Sequence, residues 1–163
     1  MVGLMVSAMM VKRSDTVLEV GTGSGYQAAV LSCLAGRVVS VERVPELAAT
    51  AAHKLNELGH KNVELFPAGD SLGLPSKSPY EAIVVAASAP RLPRILVNQL
   101  APGGRLVIPV GNAETQELMR IIRGPHDFSI HTLGGCRFVP LIGEGAWLES
   151  DPELRNAMKR VDL

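Results

Sequence analysis

Residues 17–26 read Val-Leu-Glu-Val-Gly-Thr-Gly-Ser-Gly-Tyr, an apolar strand pattern that runs directly into three alternating glycines. A helical pattern begins at Tyr26, so the glycines form the turn between a strand and a helix. Glycine permits a sharp turn and close approach of a ligand to the main chain, and the start of the helix offers free N–H groups. The segment predicts a strand–turn–helix unit that binds a polar or anionic ligand, and the alternative is a tight turn without a ligand.

Short aliphatic runs alternate with helical patterns along most of the chain, which predicts an α/β fold. The predicted strands are Thr16–Val20, Arg37–Glu42, Asn62–Phe66, Ala82–Ala87 and Arg105–Val110, and the predicted helices are Tyr26–Ala35, Pro45–Gly59 and Arg94–Leu100. Two further strands, Gln116–Arg123 and Ser129–Pro140, predict a hairpin. We therefore expect a Rossmann-like, mostly parallel twisted sheet with helices on both faces and an antiparallel C-terminal hairpin, in one domain over residues 1–163.

Both chain ends are predicted to be helical. Met1–Val11 is apolar but shorter than the roughly 20 residues that span a bilayer, and its charges follow the apolar run, unlike those of a signal peptide. We interpret it as the tail of a core-packing helix and expect a cytoplasmic protein without a membrane segment. Asp151–Arg160 predicts a polar, peripheral helix.

Two of the predicted helices carry residues that we expect to pack inside the fold. Cys33 lies in the helix that follows the glycine turn. The helix from Pro45 has an apolar face at helical spacing, made of Leu47, Ala48, Ala51, Leu55 and Leu58.

The composition argues against several classes of protein. The 163 residues include 16 Lys and Arg and 16 Asp and Glu, so the formal net charge is zero. A protein that holds nucleic acid through bulk charge normally has a basic excess, so we expect no nucleic-acid partner. The two cysteines, Cys33 and Cys136, are far apart and show no metal-ligand spacing, so we expect neither a metal site nor a disulfide framework.

An acidic residue narrows the choice of ligand. Glu42 ends the second predicted strand about 20 residues after the glycine turn, where a carboxylate can accept hydrogen bonds from ribose hydroxyls. The alternative is an ordinary charge at a strand end. A dinucleotide-binding turn would need glycine at position 26, which is Tyr26, so a nicotinamide-dependent oxidoreductase is disfavoured. The pattern favours a nucleoside ligand without phosphates.

These motifs resemble those of class I S-adenosylmethionine-dependent methyltransferases, and in particular of the protein-L-isoaspartate O-methyltransferase family. The stretches that carry the resemblance are Val17–Leu31, Val41–Leu47, Ala86–Pro90, Leu100–Gly111, Gln116 with Leu118, and Arg137–Leu141. The resemblance implies S-adenosyl-L-methionine as cofactor. It also implies methyl transfer to the free α-carboxylate of L-isoaspartyl residues in damaged proteins or peptides.

The resemblance also implies roles for individual residues. Glu19 would lie near the methionine end of the cofactor, and Asp70 would bind the adenine amino group. Val139, Pro140 and Leu141 would lie near the peptide substrate. The full set of implied cofactor contacts is Glu19, Gly21, Thr22, Gly23, Ser24, Gly25, Glu42, Arg43, Asp70 and Gln116.

The sequence departs from the family pattern in its N-terminal part. Family members carry a longer N-terminal segment with a Thr-Ile-Ser-x-Pro motif whose serine lies at the active site, and this sequence has no equivalent motif. We therefore assign no catalytic residue. The alternative to an active enzyme is an S-adenosylmethionine-binding module, or an N-terminally truncated homologue with little or no turnover.

Overall fold

The computed structural model describes residues 1–159. Its strands alternate with helices over the first two thirds of the chain, as the sequence patterns predict. The elements are α1 (Val2–Met9), β1 (Thr16–Val20), α2 (Tyr26–Ser32), β2 (Arg37–Glu42), α3 (Pro45–Glu57), β3 (Val63–Pro67), β4 (Tyr80–Val85), α4 (Arg94–Asn98), β5 (Leu100–Gly111), β6 (Gln116–Arg123), β7 (Phe128–Cys136) and α5 (Pro152–Lys159).

The strands form a single sheet in the order β3-β2-β1-β4-β5-β6-β7. Neighbours from β3 to β5 pair in parallel, while β6 and β7 are antiparallel. This confirms the predicted Rossmann-like sheet with an antiparallel C-terminal hairpin. Because β1 is flanked by β2 on one side and β4 on the other, the chain reverses its winding direction there. The carboxyl ends of these strands therefore flank a crevice, which is where open α/β sheets bind ligands.

The sheet separates two apolar cores. Alternate residues of one strand point to opposite faces, so Leu18 belongs to one buried cluster and Val17 to the other. Helix α4 contributes to the first cluster, and α1 and α2 contribute to the second. Met5 and Met9 of α1 are fully buried, which confirms the interpretation of the N-terminal stretch as a core-packing helix.

Several predicted boundaries were wrong at the turns. The helix after the glycines ends at Ser32, and β4 covers Tyr80–Val85 instead of 82–87. Strand β5 begins at Leu100 instead of Arg105. The Pro-Gly-Gly stretch at residues 102–104, which we expected before the strand, is therefore part of the strand. The pairing makes this possible, because the register of β4 with β5 shifts between Tyr80 and Ala82 and absorbs the extra residues. Strand β7 ends at Cys136, four residues before the predicted end at position 140.

Two expectations about burial were wrong. Of the five residues of the predicted apolar face, only Ala51 and Leu55 are buried. Leu47 is 43% exposed, and Leu58, which directly follows α3, is 71% exposed. Only the middle of this face reaches the sheet. Cys33, the residue that caps the end of α2, is exposed and not packed inside the fold.

The C-terminal helix α5 begins with Pro152, whose missing N–H suits a first helical turn. It is less peripheral than expected, since Leu154 is only 3% exposed. Arg160, the predicted end of this helix, lies outside the described residues. In the part of the chain that the structure describes, no helix is long and apolar enough to cross a membrane.

Candidate functional site

A cavity of about 670 Å³ opens at the carboxyl ends of β1, β2 and β4. This volume lies within the range typical of small-molecule sites. The glycine turn contributes Gly21 and Gly23 to its wall, and the end of β2 contributes Glu42 and Arg43. The crevice expected from the strand order thus brings together four of the ten sequence-predicted cofactor residues.

The glycine turn needs its glycines for conformation and for space. Gly21, Gly23 and Gly25 have φ angles of +92°, +53° and +82°, in the left-handed region that side chains disfavour. A Cβ at Gly23 would meet no atom within 4 Å, because the residue faces the open cavity. A Cβ at Gly25 would lie 3.3 Å from that of Ala51, so this glycine allows α2 to start close to α3.

The carboxylate of Glu42 holds the turn in place. Its Oε2 accepts a hydrogen bond from the N–H of Gly23 at 2.9 Å, and its Oε1 accepts one from the N–H of Val44 at 2.9 Å. Glu42 is 8% exposed and lines the cavity. Each carboxylate oxygen offers about two acceptor positions, so each retains one beyond the hydrogen bond that it already accepts.

A buried polar chain supports the turn from below. The hydroxyl of Ser40 donates to Glu19 Oε2 at 2.6 Å, and the oxygens of Ser40 and Thr22 lie 2.6 Å apart. Glu19 is fully buried, and its Oε1 has no hydrogen-bond partner among the described residues. Burial raises the pKa of Glu19 to about 7, and the hydrogen bond from Ser40 opposes this rise. Sequence reasoning missed Ser40, whose only signal was a polar residue inside the apolar strand β2.

Glu19 and Thr22 therefore lie beneath the turn, and neither is among the described residues that line the cavity. Ser24 is exposed, and its hydroxyl oxygen accepts a hydrogen bond from the N–H of Tyr26 at 3.4 Å. Arg43 forms an ion pair with Glu149, with 3.1 Å between Nη1 and Oε1. The structure thus divides the predicted set into residues of the cavity wall and residues that shape it.

Asp70 occupies an exposed position and is not among the described residues that line the cavity. Its neighbours Gly69 and Ser71 do line it. The turn after β3 therefore lines the cavity with Gly69 and Ser71, the two neighbours of Asp70.

The opposite wall is made by residues 139–141, which line the cavity. The N–H of Ser88 donates to the carbonyl of Val139 at 2.7 Å, and the N–H of Leu141 donates to the carbonyl of Ser88 at 2.8 Å. This parallel pairing fixes the segment beside the end of β4. Val139 remains 68% exposed and Ser88 is 1% exposed. The three predicted substrate residues therefore share one cavity with four of the predicted cofactor residues.

Gln116 lies behind this wall. It is 3% exposed and is not among the described residues that line the cavity. Its Nε2 donates to the carbonyl of Asn112 at 2.8 Å, and its Oε1 accepts from the N–H of Phe138 at 2.8 Å. In this structure Gln116 ties the β5–β6 turn to the residue that precedes Val139.

The residues at the site offer carboxylates, backbone N–H groups and apolar surface. Within residues 1–159, no group of three His, Cys, Asp or Glu side chains has an arrangement that could hold a metal ion. The parallel strand order, the glycine turn after β1 and the acidic residue ending β2 define the class of Rossmann-like class I methyltransferases.

The comparisons with known proteins identify the family. The family model described as "Protein-L-isoaspartate(D-aspartate) O-methyltransferase (PCMT)" matches residues 1–146. The chain belongs to this family.

Individual relatives agree with this result. A protein-L-isoaspartate O-methyltransferase of Rhodopseudomonas palustris is 48% identical over 161 residues, which are 98% of this chain and 74% of that protein. A solved structure named protein-L-isoaspartate O-methyltransferase has a TM-score of 0.79 at 26% identity, over 89% of this chain and 47% of the other. A Plasmodium falciparum protein named a beta-aspartate methyltransferase (PCMT) was solved in complex with S-adenosyl-L-homocysteine. It has a TM-score of 0.65 at 26% identity, over 85% of this chain and 67% of the other. The chain thus spans about three quarters of the bacterial relative and about half of the first solved chain.

Proposed function

We propose that this chain binds S-adenosyl-L-methionine in the cleft and transfers its methyl group to the free α-carboxylate of L-isoaspartyl residues in damaged proteins or peptides. The family membership supports the reaction, and the S-adenosyl-L-homocysteine bound to the Plasmodium falciparum relative supports the cofactor. One observation carries the proposal: the glycine turn and Glu42 line the same cavity as residues 139–141. Cofactor and peptide can therefore meet in one space.

The residues present fit the proposed cofactor. Gly23 leaves open space where a side chain would stand, so a ligand can approach the main chain there. Glu42 keeps an acceptor position on each carboxylate oxygen, which suits two vicinal ribose hydroxyls. When bound, S-adenosyl-L-methionine would supply a methyl group from its sulfonium sulfur: an oxygen–methyl bond forms as the methyl–sulfur bond breaks, and S-adenosyl-L-homocysteine leaves. We propose direct contacts for Gly21, Gly23, Glu42 and Arg43.

The remaining predicted residues act through these contacts. We propose that Glu19 and Thr22 support the glycine turn through Ser40, and that Gly25 sets the close start of α2. Ser24 lies on the outer side of the turn. Asp70 stays a prediction: its side chain is exposed, and its neighbours Gly69 and Ser71 line the cavity.

The reaction does not require a strong general base from the chain. A carboxylate has an ordinary pKa near 4, so the α-carboxylate of the substrate is already ionised at neutral pH. The chain must instead align the nucleophile with the methyl group and exclude water. The segment of residues 139–141 is suited to this task, because its backbone is held by Ser88 while the Val139 side chain remains exposed for contact with a peptide.

The experiment that tests the proposal compares two peptide isomers. The purified chain is incubated with methyl-labelled S-adenosyl-L-methionine and either an isoaspartyl peptide or its normal aspartyl isomer. We expect a base-labile methyl ester on the isoaspartyl peptide alone. Cofactor binding without ester would support the alternative of a binding module without turnover, and equal labelling of both isomers would contradict the proposed substrate.

Two broader predictions from the sequence stay proposals. We propose one domain over residues 1–163 and a cytoplasmic location. The single sheet that continues from β3 to β7 supports the first. The free thiols of Cys33 and Cys136 support the second, because thiols persist in reducing compartments.

A further inference from the structure

The cleft has a wall that comes from the last part of the described chain. Trp147 anchors the base of this wall, since its N–H donates to the carbonyl of Leu141 at 3.0 Å and its carbonyl accepts from Gly143 at 2.9 Å. The following residues, 148–155, form what we call the C-terminal strap. Glu149 and Leu154 of the strap line the same cavity as Glu42.

Leu154 is buried in an unusual place. It is 3% exposed, yet among the described residues it belongs to neither of the two apolar clusters that flank the sheet. It is instead among the residues that line the cleft, and protein atoms already cover its side chain there. Leu148, at the other end of the strap, is 52% exposed and is not among the described residues that line the cavity. The strap therefore holds one buried leucine that lines the cavity and one exposed leucine that does not.

The polar attachments of the strap are exposed. Arg43 and Glu149 form an ion pair at 3.1 Å, but their side chains are 57% and 75% exposed. Glu153 Oε1 accepts a hydrogen bond from the N–H of Ala113 at 3.1 Å, also at the surface. Exposed ion pairs contribute little to stability, because water and salt screen them. The strap can therefore separate from the cleft without breaking a strong polar contact.

We propose that the C-terminal strap is the outer wall of the nucleoside-binding cleft, in which the buried Leu154 seats the strap beside the ligand and the Arg43–Glu149 pair holds the strap shut. This inference rests on the proposed cofactor and adds a binding segment outside the residues 1–146 that the family model matches. The ligand chemistry is that of an adenosyl group, whose flat ring offers an apolar face to the wall of the cleft. Binding requires the strap to open for entry and to close afterwards.

Calorimetric titration with S-adenosyl-L-homocysteine tests the role of Leu154. We expect Leu154→Ala to raise the dissociation constant about tenfold, because the strap loses the buried apolar contact that seats it at the cleft. The matched control Leu148→Ala should stay within about twofold of the unsubstituted chain. Equal affinities of the two variants would overturn the inference but not the proposed function, whereas no binding by the unsubstituted chain would overturn both.

Hydrogen exchange of the unsubstituted chain keeps the inference testable if Leu154→Ala does not fold. We expect saturating S-adenosyl-L-homocysteine to slow exchange of amides in residues 148–155, with little change in the edge strand β7. Unchanged exchange in the strap, with the ligand bound, would overturn the inference.

Dissociation kinetics test the role of the Arg43–Glu149 ion pair in holding the strap shut. Trp147 is the only tryptophan of the chain and lies at the base of the strap, so its fluorescence can follow ligand release. We expect Glu149→Gln to speed release two- to threefold, and Glu144→Gln, in the preceding turn, to leave it unchanged. An equal rate in both variants would overturn the role of the ion pair.

Discussion

The carboxylate of Glu42 accepts a hydrogen bond from the backbone N–H of Gly23, with 2.9 Å between Oε2 and the nitrogen. The other oxygen, Oε1, holds the N–H of Val44 just before α3 at the same distance. One side chain therefore joins the end of β2, the glycine turn and the start of α3 while it lines the cavity. Substitution of Glu42 should consequently affect both ligand binding and the local fold.

For Glu42→Ala we expect binding of S-adenosyl-L-homocysteine to weaken by about 1–3 kcal/mol, because ribose hydroxyls lose a charged acceptor. We also expect the free energy of unfolding to fall by about 1 kcal/mol or more, since two N–H groups lose their partner. Calorimetry and urea unfolding measure the two effects. Glu46→Ala, an exposed residue in the first turn of α3, is the control, and equal binding by both variants would make Glu42 an ordinary strand-end charge.

Gly23→Val should abolish binding of S-adenosyl-L-homocysteine, because the new side chain would enter the cavity. The φ of +53° also strains any side chain at this position. Gly59→Val separates the two effects, since Gly59 has a φ of +77° with open space around it but is not among the described residues that line the cavity. Calorimetry should find binding lost in the first variant only. Unchanged affinity of Gly23→Val would refute the placement of the ligand.

Gln116 should affect the peptide substrate more than the cofactor. Gln116→Met keeps the size of the side chain but loses both hydrogen bonds, so we expect a KM for the isoaspartyl peptide several times higher, with the affinity for S-adenosyl-L-homocysteine within about twofold. Gln116→Glu keeps an acceptor for the N–H of Phe138 and should recover part of the loss. A selective loss of cofactor affinity would instead support the direct contact that the family resemblance implies.

Glu19 should make stability depend on pH. Its pKa in the folded protein, about 7, lies above the ordinary value of 4.5 because of burial, so the folded protein binds the proton more tightly than the unfolded chain. The stabilisation is complete below about pH 4.5 and is lost as the pH rises through about 7. Relative to Glu19→Gln, we expect the unsubstituted chain to lose roughly 2–3 kcal/mol of unfolding free energy between about pH 5 and 8. Urea unfolding at several pH values measures this, and parallel curves for the two proteins would contradict it.

Local patterns predicted the centre of the fold well. The strand β1, the glycine turn and the start of α2 are contiguous in the chain, and the apolar run, the left-handed φ angles and the helix start all follow from neighbouring residues. The sheet class followed from alternation of strands and helices, since parallel strands need helical crossovers. Boundaries were less predictable, because the bulge between Tyr80 and Ala82 depends on the partner strand.

The sequence indicated where the cavity lies, but not which of the predicted residues line it. Glu42 lines the cavity because it ends a strand whose neighbour carries the glycine turn; its contact with a ligand stays a prediction. Leu47 was expected in the core and lines the cavity instead, since helical spacing shows which residues share a face but not what that face meets.

The sequence by itself determined the glycine turn, the acidic residue one strand away and the parallel sheet that brings them together, because each depends on residues close in the chain or on a repeated pattern. Only the tertiary structure decided that Gln116 holds Phe138, that Ser88 pairs with the segment around Pro140, and that Leu154 lines the cleft. These contacts join residues separated by 22 or more positions. Their partners are selected by how the packed elements meet in space, which no local pattern records.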